Sequence, residues 1–136
     1  MDEIIPNLYI GEAVEALYDE RTKTMVLIGV SEQIPAVENG HHLPFLVPDE
    51  EGALRADIER LDEIATIIET ALCADRKVLV FCGAGMERSP LAVTWYLHRY
   101  KRMTLDEAWY SVKNRRCIAK DCRNLLPGSY TAGVTP

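Results

Sequence analysis

The feature that most constrains the fold is an apolar run that breaks at a cysteine and two glycines before a second apolar segment. Residues 78–81 are apolar and rich in β-branched side chains, which predicts a buried strand. Gly83 and Gly85 relieve the turn that follows, and Pro90 suits the first turn of a helix. Cys82 is therefore expected where the strand ends and the helix begins. Backbone amides converge at such a junction, which makes it a ready anion site.

Cys82 and Arg88 bracket this loop and carry the predicted chemistry. A helix N-terminus and a neighbouring arginine both favour the thiolate, which is the nucleophilic form of a cysteine. A guanidinium can hold two phosphate oxygens while the sulfur attacks phosphorus. The Ser89 hydroxyl can hydrogen-bond the departing thiolate, and it can also cap the helix. The predicted phosphate-binding residues are Gly83, Ala84, Gly85, Met86, Glu87 and Arg88.

Phosphoryl transfer to a cysteine also needs an acid that protonates the leaving oxygen. Asp49, 33 residues before Cys82, is the predicted acid. Glu50 and Glu51 compete for this role, and a turn or helix N-cap position is the structural alternative for Asp49.

The chain before residue 53 alternates short strand and helix patterns. They are a strand or paired segment at 4–11, a short helix at 12–18, a strand at 24–30, a polar loop with Pro35, Asn39 and Gly40, and a short strand at 42–47 interrupted by Pro44. His41 and His42 are expected to be structural rather than general bases.

Longer helical patterns occupy the rest of the chain. Apolar residues from Ala53 to Cys73 fall at helical spacing, residues 89–100 form the helix after the loop, and Thr104 with Glu107 forms a capping box that opens a helix to about Arg115. We predict an α/β fold in which helices flank a central, mostly parallel sheet. A single domain is expected over residues 1–127, with a loose tail at 128–136.

Composition limits the class of protein. With 136 residues and 48% hydrophobic side chains, the chain can fill one core without a disulfide or metal. No membrane span or signal peptide is indicated, so we expect a cytoplasmic protein. The four cysteines form no Cys-x-x-Cys pair and are expected to be reduced thiols. A monomer is expected, because heptads are absent.

Charge is distributed unevenly along the chain. Residues 1–70 carry a net charge of −12 and residues 71–136 a net charge of +6. The basic half contains the predicted anion loop and could steer an anionic substrate. For most of its cations, however, solvated helix faces are the favoured interpretation: Arg99, Lys101, Arg102, Lys113, Arg115, Arg116, Lys120 and Arg123.

The arrangement resembles the cysteine-based protein tyrosine phosphatases, and most closely their compact dual-specificity branch. The family signature His-Cys-x5-Arg-Ser/Thr is matched by Cys82, Arg88 and Ser89, and the segment 5–11 is similar to the family's opening strand. The resemblance implies a phosphocysteine at Cys82, phosphate binding by the loop and Arg88, and no metal or cofactor. It also implies that Asp49 protonates the leaving group and then activates water. A phosphorylated protein or another phosphomonoester is the implied substrate.

Two residues depart from that signature. Phe81 stands where the family has a histidine that favours the thiolate, which predicts a slower enzyme or a shifted pH optimum. Glu87 precedes Arg88 where small residues are common, and we expect its carboxylate to face away from the phosphate and pair with a cation.

Other functions remain open from the sequence. A rhodanese-like domain, including its cell-cycle phosphatase branch, also has a cysteine loop at a strand end and would not need Asp49. Phe81 raises the alternative of a phosphate-binding pseudophosphatase, although Cys82 and Arg88 are both present. Within the enzyme class, the basic second half could accept RNA 5′-phosphates or inositol phosphates.

Overall fold

The computed structural model describes residues 1–33, 37 and 40–131. Its elements are β1 (Asp2–Ile5), β2 (Leu8–Glu12), α1 (Ala13–Tyr18), β3 (Val26–Gly29), β4 (His41–His42), β5 (Leu46–Pro48), β6 (Leu54–Ala56), α2 (Ile58–Cys73), β7 (Val78–Cys82), α3 (Arg88–Tyr100), α4 (Leu105–Arg115) and α5 (Gly128–Thr131). Two short 3-10 helices, Glu20–Thr24 and Arg123–Leu125, complete them. No helix in these residues is long and apolar enough to cross a membrane.

The main sheet has five strands in the order β1-β2-β7-β3-β4. β1 pairs antiparallel with β2, whereas β2, β7, β3 and β4 run parallel to one another. The predicted α/β fold with a mostly parallel central sheet is thereby confirmed. The strand that leads into the cysteine loop lies at the centre of this sheet.

Side chains of β7 alternate between two apolar layers. Val78, Val80 and Cys82 belong to the main core, which α2, α3 and α4 cover. Leu79 and Phe81 point to the opposite face, where a smaller cluster includes a side chain of α1. All five residues are buried, so both faces of the central strand are covered. This double burial explains why the strand reads as a continuous apolar run.

The helix predicted from Ala53 starts later than its apolar spacing suggested. Leu54–Ala56 form β6, which pairs antiparallel with β5, and the helix α2 begins only at Ile58. The Asp57 side chain accepts hydrogen bonds from the amides of Glu59 and Arg60 and so caps the helix. The prediction failed because a three-residue strand next to a helix can continue the helical spacing of apolar residues by coincidence.

Two predicted strands are also divided. The segment 42–47 splits into β4 in the main sheet and β5 in the separate hairpin, with Pro44 between them. The segment 4–11 is a hairpin whose turn contains Asn7 in the left-handed region, at φ 72°. The short helix at 12–18 and the strand at 24–30 are confirmed as α1 and β3. Pro35 and Asn39 of the predicted loop lie outside the described residues.

The capping box of α4 is confirmed. The Thr104 hydroxyl accepts from the Glu107 amide at 3.1 Å, and the Glu107 carboxylate accepts from the Thr104 amide at 2.9 Å. The tail expected from Gly128 begins instead as α5, where Tyr130 packs edge-on against Trp95 at 5.1 Å. Residues 132–136 of that tail lie outside the described residues.

Two cations expected on solvated faces are buried. Arg116 is 4% exposed and Arg123 is 2% exposed. Arg123 pairs with the carboxylates of Asp106 and Asp121 and lies over the ring of Trp109. A buried guanidinium is tolerated only when charges and hydrogen-bond acceptors surround it, so these two side chains have structural partners rather than water.

The main core predicts a large cost for truncating α2. Ile64 is fully buried, so Ile64→Ala should lower the free energy of unfolding by about 2–5 kcal/mol. Denaturant melting measures the change. The matched control is the neighbouring Glu63→Ala, whose side chain is 53% exposed and pairs with Arg60 at 3.4 Å; it should cost less than about 1 kcal/mol. Similar losses for both variants would contradict this packing.

Candidate active site

The cysteine of the loop lies at the carboxyl end of β7 beside the first turn of α3. Cys82 is 4% exposed, and its Sγ is 3.2 Å from the Oγ of the fully buried Ser89. The N-cap position of α3 belongs to Glu87, which makes no side-chain cap hydrogen bond. The Ser89 hydroxyl therefore contacts the sulfur and does not serve as the helix cap.

In the loop 83–87, the backbone amides and the backbone carbonyls differ in their hydrogen-bond partners. Among the described residues, none accepts a hydrogen bond from the amides of this loop. Its carbonyls, in contrast, have donors outside the loop: Gly83 O accepts from Ala13 N at 3.2 Å, Ala84 O from Arg116 Nη2 at 3.4 Å, Gly85 O from Arg116 Nε at 2.7 Å and Met86 O from Lys120 N at 2.7 Å. Amides without an acceptor among the described residues, at the start of a helix, are the type of concave arrangement that binds anions.

Gly85 is required by the shape of the loop. Its φ of 66° lies in the left-handed region, which disfavours a side chain. A Cβ at this position would also lie 2.6 Å from the Gly11 carbonyl oxygen and 2.5 Å from Arg116 Nη2. Gly83, in contrast, has open space around the corresponding position. The absence of a side chain at Gly85 is thus required by its backbone conformation and by the close approach of β2 and Arg116.

A pocket of about 520 Å³ opens over the loop. Its lining joins the loop to residues that follow β3 and to the β5–β6 hairpin: Ser31, Glu32, Gln33, Leu54, Cys82, Gly83, Ala84, Met86, Glu87 and Arg88. The structure thus brings together Cys82, Arg88 and most of the predicted phosphate-binding residues. Arg88 is half-buried as the first residue of α3, and Ser89 lies beneath the sulfur.

Glu87 introduces a negative charge at the rim of this pocket. Its side chain is 51% exposed, and its Oε1 lies 4.0 Å from the Nζ of Lys120. Glu87 pairs with a cation as expected, but it also lines the pocket, so its position alone does not bear out the expectation that it faces away. At this distance and exposure the pair is weak, because water screens both charges.

The predicted acid lies on the β5–β6 hairpin and does not line the pocket. Asp49 Oδ1 accepts from the amides of Glu51 and Ala53, each at 2.9 Å, and Oδ2 is 3.6 Å from Arg55 Nε. The turn alternative for Asp49 thus describes its hydrogen bonds in this structure. Leu54, on the opposite strand of the same hairpin, reaches the pocket.

A second thiol lies close to the loop. Burial raises the pKa of the Cys122 thiol, and the negative charges of Glu87 and Asp121 add to this effect. Cys122 is therefore protonated at neutral pH and is a poor nucleophile. None of the four cysteines, Cys73, Cys82, Cys117 and Cys122, is joined in a disulfide in this structure.

Sequence reasoning missed the lining residues 31–33 and Leu54. Residues 31–33 follow β3, which is parallel to β7, so their carboxyl ends meet at one edge of the sheet. That rule could have identified them, because ligand sites of parallel sheets occur at this edge. Leu54 was hidden by the incorrect helix prediction. His42, expected to be structural, hydrogen-bonds through Nε2 to the Ser31 carbonyl oxygen at 2.8 Å.

Comparison with known proteins agrees with this geometry. The family model described as "Dual specificity phosphatase, catalytic domain" matches residues 8–125. Human dual specificity protein phosphatase 1 is 36% identical over 120 residues, which is 85% of this chain and 32% of that protein. Human dual specificity protein phosphatase 4 is 36% identical over 121 residues, with 85% and 30% covered. The chain thus spans about a third of the length of these curated relatives.

Solved structures give the same result. Human DUSP28 superposes with a TM-score of 0.76 at 25% identity, covering 92% of this chain and 90% of that one. A mouse putative dual specificity phosphatase complexed with zinc tungstate has a TM-score of 0.74 at 25% identity, with 93% and 92% covered. The rhodanese-like alternative is not favoured by these similarities. From its sequence match and its cysteine loop together, this chain belongs to the dual specificity phosphatase catalytic domain family.

Proposed function

We propose that this protein is a cysteine-dependent protein phosphatase, with tyrosine or dual specificity, that hydrolyses phosphomonoesters on phosphorylated proteins. The observation that carries the proposal is the position of the Cys82 sulfur, which lies at the pocket and 3.2 Å from the Ser89 hydroxyl. Beside it, the amides of the loop have no hydrogen-bond acceptor among the described residues. A dianionic phosphate supplies the acceptors that these amides lack. The similar proteins are named as protein phosphatases, which supports a phosphorylated protein as the substrate.

The proposed reaction has two displacement steps at phosphorus. In the first, the Cys82 thiolate attacks phosphorus, the S–P bond forms, and the bond to the leaving oxygen breaks as Asp49 gives that oxygen a proton. In the second, water attacks phosphorus, its proton passes to Asp49, and the S–P bond breaks to release inorganic phosphate. Ser89 donates a hydrogen bond to the departing thiolate, and Arg88 holds two phosphate oxygens in both steps.

Asp49 serves this reaction only if its carboxyl leaves the turn. Its Oδ1 is held by two amides of the hairpin, and hydrogen bonds of catalytic groups often reach their final geometry only in the complex with substrate. Leu54 of the same β-hairpin lines the pocket, so the hairpin that carries Asp49 lies beside the proposed substrate site. The same hairpin carries Glu50 and Glu51.

We also propose that the enzyme is monomeric and cytoplasmic and that the catalytic domain formed by these residues includes α5. Free thiols at all four cysteines suit a reducing compartment, and the chemistry needs Cys82 reduced. Packing of Tyr130 on Trp95 supports the inclusion of α5 in the domain.

Replacement of the nucleophile gives the main test. Cys82→Ser should lower hydrolysis of a phosphotyrosine peptide by at least about 10³-fold, because the hydroxyl is not ionised and does not attack phosphorus at a useful rate. Rapid acid quench of the wild-type enzyme with ³²P-labelled substrate should trap a phosphoprotein that the variant does not form. A wild-type protein that binds phosphate but forms no phosphocysteine would identify a pseudophosphatase instead.

Leaving-group dependence tests the acid. Asp49→Asn should lower hydrolysis of a phosphoserine peptide by about 10²–10⁴-fold, but that of an aryl phosphate with an acidic phenol much less, because such a phenolate leaves without a proton. Steady-state kinetics with both substrates measure the two losses. Glu50→Gln and Glu51→Gln show which of the three carboxyls is the acid, since only replacement of the true acid gives a loss that depends on the leaving group. Equal losses of both substrates in Asp49→Asn would contradict the acid role.

The rim charge predicts a small gain in affinity. Glu87→Gln should tighten inhibition by inorganic phosphate by about threefold, because Lys120 and water already screen the carboxylate, and the gain should shrink as salt is added. Lys120→Gln should act in the opposite direction. A gain of tenfold or more, about 1.4 kcal/mol, would mean that the Glu87 carboxylate points at the phosphate.

A further inference from the structure

Arg116 is a buried cation behind the phosphate loop. It follows α4 as its C-cap residue, and only 5% of its side chain is exposed. Burial of a guanidinium is costly unless its donors find acceptors. The identity of those acceptors therefore indicates what the side chain does in this fold.

Two of its four acceptors are backbone carbonyls of the loop. Nε donates to Gly85 O at 2.7 Å, and Nη2 donates to Ala84 O at 3.4 Å. On its other side, Nη1 donates to the Asp2 carboxylate at 2.8 Å and to Ile10 O at 3.4 Å. The guanidinium thus joins two consecutive loop carbonyls to β1 and β2.

Carbonyl orientation decides amide orientation, because each planar peptide group points its N–H and its C=O in opposite directions. When Arg116 holds the Ala84 and Gly85 carbonyls behind the loop, the amides of the following residues, Gly85 and Met86, point the opposite way, toward the pocket. None of the described residues accepts a hydrogen bond from these amides. An anion in the pocket would supply that acceptor.

The loop also leaves room for the guanidinium. A Cβ on Gly85 would lie 2.5 Å from Arg116 Nη2, so the absence of a side chain at Gly85 is a condition of this contact. Lysine is a poor substitute, because one ammonium does not reproduce the planar fork that reaches two carbonyls and a carboxylate together.

We propose that Arg116 is a positioning residue for phosphate binding, which acts by holding the loop carbonyls away from the pocket and thereby aiming the loop amides into it. The inference rests on the proposed function for the identity of the anion. It assigns Arg116 no contact with the substrate.

Arg123 provides a matched control. It is also a buried arginine, 2% exposed, and it also pairs with carboxylates, those of Asp106 and Asp121. Its contacts involve no residue of the loop 83–87. Loss of either arginine should destabilise the fold, but only Arg116 should affect the anion.

The test measures binding of inorganic phosphate by calorimetry, well below the melting temperature of each variant. Arg116→Lys should weaken phosphate binding at least about tenfold, whereas Arg123→Lys should leave it within about twofold of the wild type even if both lower the melting temperature. Asp2→Asn, which frees one side of the guanidinium, should give a smaller loss of phosphate affinity. This milder variant decides the matter if Arg116→Lys does not fold.

Binding without turnover separates this inference from the proposed function. If the wild type binds phosphate but hydrolyses no phosphopeptide, the proposed function fails, and a selective loss of phosphate binding in Arg116→Lys still supports the positioning role. Wild-type phosphate affinity in Arg116→Lys, or in Asp2→Asn when the first variant is unfolded, would overturn the inference. Equal weakening by Arg123→Lys would overturn it as well, and a wild type that binds no phosphate would overturn both.

Discussion

An anion site built from backbone amides needs donors on its far side for the carbonyls. In the loop 83–87 these donors come from three parts of the chain: the first residue of α1, the C-cap of α4, and Lys120 beyond it. Each carbonyl that is held outside the pocket turns a peptide plane, and the amide on that plane faces the pocket. The proposed phosphate site therefore depends on contacts that lie outside the pocket.

The sheet sets the position of this loop. β7 lies between β2 and β3, and its alternating side chains are buried in two apolar layers. Cys82 belongs to the layer under α3, whereas Phe81 belongs to the layer beside α1. A polar imidazole at position 81 would be buried among apolar side chains, and such burial is costly without a hydrogen-bond partner. Phe81 thus stabilises this face of the sheet, and in the proposed reaction activation of Cys82 therefore depends on the loop amides, the start of α3, Arg88 and Ser89.

The net positive charge of residues 71–136 does not describe how their individual cations are used. Two of these cations, Arg116 and Arg123, are buried among carboxylates and carbonyls and contribute to structure, not to long-range steering. Lys120 remains at the surface, where its ammonium lies beside Glu87 at the pocket rim. In the proposed function, electrostatic attraction of the substrate therefore depends on a few groups near the pocket, where acidic and basic side chains meet.

The sequence alone determined the elements whose signals are local. The apolar run into Cys82, the proline in the first turn of α3 and the Thr104–Glu107 capping box all act within a few residues, and the structure has each where the sequence predicts it. Tertiary structure decided the rest. Residues 54–56, which local spacing predicts as helix, form a strand because they pair with β5, and the side chain of Asp49 is hydrogen-bonded within a turn. Tertiary structure also brought Arg116 to a carbonyl 31 residues away in the chain. Contacts of that range depend on how packed elements meet, and local spacing carries no record of it.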